Sequence, residues 1–136
     1  MSRWTCPQCD REFARERQSH VCVPGCTVDE TFAPHPPVYR EIYDRLLEGL
    51  GPVHEDAVRV GVFLKSGRKF AEVRPRARSL SLALALPRRV EHPLIARALP
   101  GPGGRTWHMF KLTRVQDVDE RILAWMAEAC DDHGGF

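Results

Sequence analysis

No stretch of the 136 residues stays apolar long enough to cross a bilayer: the longest such run, Leu80–Leu86, has seven residues against the roughly 20 required. The opening Met1-Ser2-Arg3-Trp4-Thr5-Cys6 lacks the apolar segment of a secretory signal, so a cytoplasmic location is the expectation. Familiar catalytic signatures are missing too. There is no GxSxG, P-loop, HExxH or dinucleotide glycine fingerprint, and no Asp followed by the Glu-x-Lys of magnesium-dependent nucleases. Pro102-Gly103-Gly104 has no helix after it to complete a phosphate cradle. These absences weigh toward binding rather than catalysis. Lysine is scarce, three residues against 17 arginines, which favours planar contacts to phosphate or carboxylate, although a GC-rich coding sequence gives the same bias. Glycine and proline together number only 21, which argues against a disordered or collagen-like chain. The length suits one domain with a small appendage.

Cysteine is present and unevenly placed: four of the five lie between positions 6 and 26. In a reducing compartment that clustering favours a metal over disulfides. Cys6-Pro7-Gln8-Cys9 sets two thiols three positions apart in a tight turn that supplies half of a tetrahedron. His20-Val21-Cys22 follows after ten residues, close to the ligand-pair spacing of small fingers. Residues two apart on a helix point about 200° away from each other, so a short helix over 14–19 should end near His20, with Cys22 reaching back from the turn beyond. Cys6, Cys9, His20 and Cys22 are thus the expected ligands of one structural Zn²⁺, with Cys26, after the turn at Val23-Pro24-Gly25, as the alternative to Cys22. Four soft ligands close a site to substrate, and so small a segment needs the metal to fold. Trp4 and Phe13 are its large aromatics, better suited to packing there than to stacking on bases.

Beyond the finger, Thr27-Val28-Asp29-Glu30 reads as a capping box opening a short helix that Pro34, Pro36 and Pro37 end. Tyr39, Ile42, Tyr43, Leu46, Leu47 and Leu50 recur at three and four, giving a helix over 37–50 stopped by Gly51-Pro52. From Val58 the period falls to two through Leu64, and Ser66-Gly67 turns the chain into a strand over 69–73. Leu80, Leu82, Leu84 and Leu86 alternate with Ser79, Ser81, Ala83 and Ala85, and the small second face predicts close approach by a helix or another backbone. A strand over Thr106–Leu112 and a helix opening at Asp117, with Glu120 at its third position, complete the list. Val118, Ile122, Trp125, Met126 and Ala129 share one face of that helix, where Cys130 reads as a small buried hydrophobe. The expected fold is α+β: a zinc finger over 1–26, then a domain over 27–136 with an antiparallel sheet of about four strands covered by helices on one side.

These residues carry a resemblance. Trp-Thr-Cys-Pro-x-Cys-x-Arg-x-Phe-Ala-Arg followed by Gln-Ser-His-x-Cys resembles the Cys-Cys-His-Cys finger at the front of some uncharacterised bacterial proteins. Thr27 to Phe32, Leu64-Lys65, Phe70-Ala71, Val73-Arg74-Pro75-Arg76, Leu80–Leu86 and Trp107-His108 resemble the domain-of-unknown-function family 5655 that accompanies it. The resemblance implies zinc at the front and an α+β domain behind, sometimes in proteins linked to DNA defence or modification. Asp10 stands where such knuckles often carry Gly, a departure that concerns turn geometry rather than ligation.

A net charge of +2 conceals a basic middle: residues 65–105 carry +8, the segments 27–64 and 106–136 carry −4 and −3, and 1–26 carries +1. Lys65, Arg68, Lys69, Arg74, Arg76, Arg78, Arg88 and Arg89 fall on strands and turns that the topology makes neighbours. They form a candidate anion site for nucleic acid or an acidic protein, or else a solvated edge that discourages aggregation. His108 shares a half-buried strand face with Phe110 and Leu112 and reads as a structural residue or a ligand contact, whereas His35, His54, His92 and His133 have no partner at metal spacing. Three functions stay open: a zinc-containing module docking on nucleic acid or an acidic partner; a site for a phosphate- or carboxylate-bearing small molecule around Lys65, Arg76 and His108; and a protein adaptor, monomeric or a homodimer formed through a strand edge. None involves a membrane.

Overall fold

A computed structural model describes residues 3–13, 15–20 and 22–132. Two short strands, β1 (Trp4–Thr5) and β2 (Glu12–Phe13), pair antiparallel around the Cys6 to Cys9 turn. Helices α1 (Val28–Phe32) and α2 (Pro37–Leu47) follow, then strands β3 (His54–Val58), β4 (Gly61–Ser66), β5 (Arg68–Pro75), β6 (Leu80–Leu86), β7 (Ile95–Pro100) and β8 (Thr106–Leu112), and finally helix α3 (Glu120–Asp131). The last six strands form one antiparallel sheet in the order β3-β4-β5-β6-β8-β7. Among the described residues no helix is long and apolar enough to cross a membrane.

The sheet has six strands rather than about four, and the two extra ones are its edges. What reads as one strand from Val58 to Leu64 is a hairpin, because the chain turns at Arg59-Val60 and β3 pairs back on β4 from Val58↔Gly61 to His54↔Lys65. Gly61 is required there: a Cβ would lie 2.6 Å from the Val73 carbonyl oxygen of the neighbouring strand. The second turn falls at the expected Ser66-Gly67, with Gly67 at φ 77°. A bulge in β5 beside it buries both Phe70 and Ala71.

Alternation then sorts the sheet into two faces. One carries Val62, Leu64, Val73, Leu80, Leu82, Leu84, Leu86, Phe110 and Leu112, all essentially inaccessible, against Ile42, Tyr43 and Leu46 of α2 and Ile122, Trp125 and Met126 of α3. Truncating any one of the four β6 leucines to Ala would cost about 2–5 kcal/mol. Cys130 lies in the same core.

The helix ends follow local chemistry. Thr27 and Glu30 form the reciprocal capping box at α1, and Thr31 reaches from α1 to donate to the Val58 carbonyl at 2.7 Å. Helix α2 ends at Leu47 rather than 50. Helix α3 starts at Glu120 with Asp119 as its cap, not at Asp117, because Asp117 instead accepts from the Thr113 and Arg114 amides and closes the turn before it. Residues 15–17 form a bend and turn, with Arg17 at φ 56°, where a helix over 14–19 was expected; Ala14 lies outside the described residues.

Candidate metal centre and the open face of the sheet

The turn after β1 brings Cys6 and Cys9 together: the Asp10 amide donates to the Cys6 carbonyl at 2.8 Å and the Cys6 amide to the Arg11 carbonyl at 2.9 Å. Asp10 takes a left-handed φ of 62°, the conformation for which such turns favour Gly and which Asp tolerates better than most residues. His20 and Cys22 then arrive from the other side. One ligand atom from each of Cys6, Cys9, His20 and Cys22 lies within 4.8 Å of the other three. Cys6 Sγ is 3.7 Å from Cys22 Sγ, and His20 Nε2 is 3.5 Å from Cys9 Sγ and 3.1 Å from Cys22 Sγ. Tetrahedral zinc bonds of about 2.3 Å to sulfur and 2.0–2.1 Å to nitrogen give edges of about 3.8 Å between sulfurs and 3.5 Å between sulfur and nitrogen. The donor set and its spacing therefore fit a four-coordinate metal ion.

The surroundings suit that task. The Nδ1–H of His20 donates to the Gln18 carbonyl at 2.7 Å, which leaves the Nε2 lone pair facing the thiols. Phe13 stacks on the imidazole with 4.0 Å between ring centroids, and Trp4 meets it edge-on. Burial disfavours the Cys6 thiolate, yet the Cys9 and Gln8 amides and the adjacent thiols bring its pKa down to about 6. Desolvation and the neighbouring Cys6 push Cys22 up to about 11. A metal ion bound by the cluster would have to displace that proton. Cys26 is elsewhere, its sulfur 3.4 Å from the Thr31 hydroxyl.

The metal-ligand segment is fastened to the large sheet. Arg11 is bidentate to Asp56 of β3, with Nε and Nη2 each 3.2 Å from a carboxylate oxygen, and both side chains are buried. Lys65 donates to the same carboxylate at 2.8 Å and to the Glu12 carbonyl at 3.4 Å, with its ammonium 4.6 Å from the Phe13 centroid. Gly25 bridges Val58 at the β3 edge. The contact covers one end of the sheet face that the helices leave open.

The rest of that face forms a trough. Its floor includes Phe63, Ala85, Trp107 and Met109, and two adjoining cavities of about 610 and 480 Å³ share Lys69 and Glu72. The first extends to Pro102 and Arg105, the second to His20 and Val23 beside the metal-ligand cluster. Ala83 and Ala85 are buried between the neighbouring strands β5 and β8 on this face, and Ala85 lines the first cavity. The register places five cations on this face, Lys65, Lys69, Arg74, Arg97 and Lys111, against two carboxylates, Asp56 and Glu72. Arg97 was hidden with β7, whereas Trp107, Met109 and Lys111 alternate with His108, Phe110 and Leu112 on the expected strand over Thr106–Leu112 and needed the register only to show their neighbours.

The remaining candidates divide by location. Lys69 and Arg74 share Glu72 as their ion-pair partner; Arg68 pairs with Asp132, Arg88 with Glu128 and Arg89 with Glu91. Arg76 and Arg78 are exposed on the β5–β6 connection and form no ion pair among the described residues. His108 is fully buried on the helix side, where its Nε2 accepts from the Val90 amide at 3.0 Å and its Nδ1–H donates to the Leu84 carbonyl at 3.2 Å. Lys65 lies on the opposite face of the sheet from His108. His92 donates to Asp119 at 2.8 Å, and His133 lies outside the described residues.

Sequence comparison adds one finding: the family described as a domain of unknown function (DUF5655) matches residues 28–133. No curated protein and no solved structure matches the chain.

Proposed function

The chain belongs to the DUF5655 family of domains of unknown function, and from that premise we propose that it is a zinc-stabilised binding module that docks a polyanion on the open face of its sheet. In this reading residues 1–26 are a Cys-Cys-His-Cys finger, and Cys6, Cys9, His20 and Cys22 hold one structural Zn²⁺. Four protein ligands leave no position for substrate, so the ion supplies folding free energy to a segment too small to stand alone. The domain over 27–136 then supplies the docking surface.

The observation that supports docking is the charge of the open face, five strand cations against two carboxylates. Arg76 and Arg78 extend the basic surface beyond the end of β5. Neutralising phosphates or carboxylates along a chain releases counterions, so affinity falls steeply with salt. A fluorescent duplex oligonucleotide titrated with the zinc-loaded protein tests the reading. Binding should weaken tenfold or more between about 50 and 200 mM salt. A Lys69→Glu, Lys111→Glu double variant should lose most of it. Salt-independent binding, or no binding to this duplex, to a single strand or to an acidic polypeptide, contradicts the proposal.

A further inference from the structure

The trough on the open face has more than charge. Phe63 and Trp107 stand on either side of Lys69, whose ammonium lies 5.3 Å from one ring centroid and 5.5 Å from the other. The two centroids are therefore no more than 10.8 Å apart, although three strand spacings separate β4 from β8. Both rings line the trough, and Ala85 lies on its floor with Ala83 beside it on the same face of β6. Large side chains at either alanine would fill it.

Each ring is held in place. The backbone of Gly101 packs so closely on Trp107 that a Cβ there would lie 2.6 Å from its Cδ1. The Gly101 amide closes that loop on the Arg105 carbonyl at 2.8 Å. Phe63 is collared by Arg11, Lys69 and Arg74 at 5.4, 5.3 and 5.9 Å from its centroid. A ligand with flat aromatic units joined by negative links meets a fixed ring at each end and cations between. A duplex shows only base edges in its grooves, and an acidic peptide has no regular series of flat rings. Single-stranded nucleic acid has both features.

We propose that this trough binds single-stranded nucleic acid, with neighbouring bases stacked on Phe63 and Trp107 and their phosphates drawn to Lys69, Arg74 and Lys111. The proposal rests on the polyanion-docking reading and narrows it. Lys69 is 40% exposed and its contact with Glu72 is a long 3.4 Å, so its ammonium can turn from the rings to a phosphate as a base arrives.

The test compares the zinc-loaded protein's affinity for a labelled ten-nucleotide oligothymidylate, a duplex of the same length and polyglutamate, at one salt concentration. The single strand should bind at least tenfold tighter than either competitor. Phe63→Leu and Trp107→Leu should each weaken single-strand binding about tenfold, the scale of one lost stack, while changing duplex and polyglutamate binding less than twofold. Trp107→Phe should retain most of the affinity. If the leucine variants melt like wild type and bind the single strand unchanged, the proposal is overturned. Equal affinity for duplex or polyglutamate also overturns it but leaves polyanion docking standing, and failure to bind any of the three removes both. Should Trp107→Leu not fold, the tryptophan emission decides: quenching by the oligothymidylate that is reduced in Trp107→Phe supports stacking, and unquenched emission rejects it.

Discussion

Arg11 and Asp56, 45 positions apart in the chain, meet as a bidentate ion pair with both side chains buried, and this pair fastens the metal-ligand segment to the first strand of the large sheet. Lys65 adds a second cation to the same carboxylate, which therefore serves three structural elements at once.

Removing that carboxylate takes from two cations at the contact the anion that they share. Asp56→Ala is expected to destabilise the fold by about 3–5 kcal/mol, the usual cost of breaking a buried pair from one side. Urea denaturation read by tryptophan fluorescence checks it. Burial by itself raises the Asp56 pKa, but the hydrogen bonds from Arg11 and Lys65 override it and hold the carboxyl below its ordinary 3.8. A depressed folded-state pKa contributes stability above the unfolded value and loses it as pH falls through the folded one. Wild type should therefore lose stability below about pH 4 more steeply than Asp56→Asn.

His108 adds a second acid sensitivity of the same sign, in a higher pH window. Desolvation holds its pKa below the ordinary 6.5, and its Nε2 lone pair already accepts from the Val90 amide, so the folded protein keeps the ring neutral. Below pH 6.5 the unfolded chain takes up a proton that the folded one refuses, and stability drops as pH falls from there. Melting temperatures between about pH 7.5 and 5.5 should decline in wild type, and more gently in His108→Gln. Parallel slopes would place the titrating group elsewhere.

Gly61 allows β4 and β5 to come together where the β3–β4 hairpin closes. A methyl group there would sit 2.6 Å from the Val73 carbonyl oxygen, an atom of the sheet that cannot swing aside. Gly61→Ala should cost about 1–3 kcal/mol, as overpacking does. Gly49→Ala, with nothing within 4 Å, serves as the control in the same thermal melts.

Much of this was legible in the residues, and the gaps have physical causes. The capping box at Thr27, the apolar stripes of α2 and α3 and the alternation of β6 are local patterns with strong periods. Strand β3 is hidden because His54-Glu55-Asp56 look like a loop until Asp56 acquires Arg11 and Lys65. Its turn at Arg59-Val60 lacks the usual Gly, Asn or Pro, so the period of two appears to run straight through to Leu64. Strand β7 has a bulge beside Arg97 and ends in proline, which breaks any alternation. The metal-ligand cluster was readable because its members fall within 17 residues. The trough was not, since Phe63 and Trp107 become neighbours only when four strands align, and the small face of β6 signals a gap without saying what fills it.

The metal centre is tested most directly by elemental analysis of bound metal in wild type, Cys22→Ser and Cys26→Ser. One zinc per chain is expected in wild type and in Cys26→Ser, whose sulfur faces Thr31, with loss in Cys22→Ser, whose sulfur lies 3.7 Å from Cys6 and 3.1 Å from His20. Full zinc content in Cys22→Ser together with loss in Cys26→Ser, or no metal in wild type, would contradict the account.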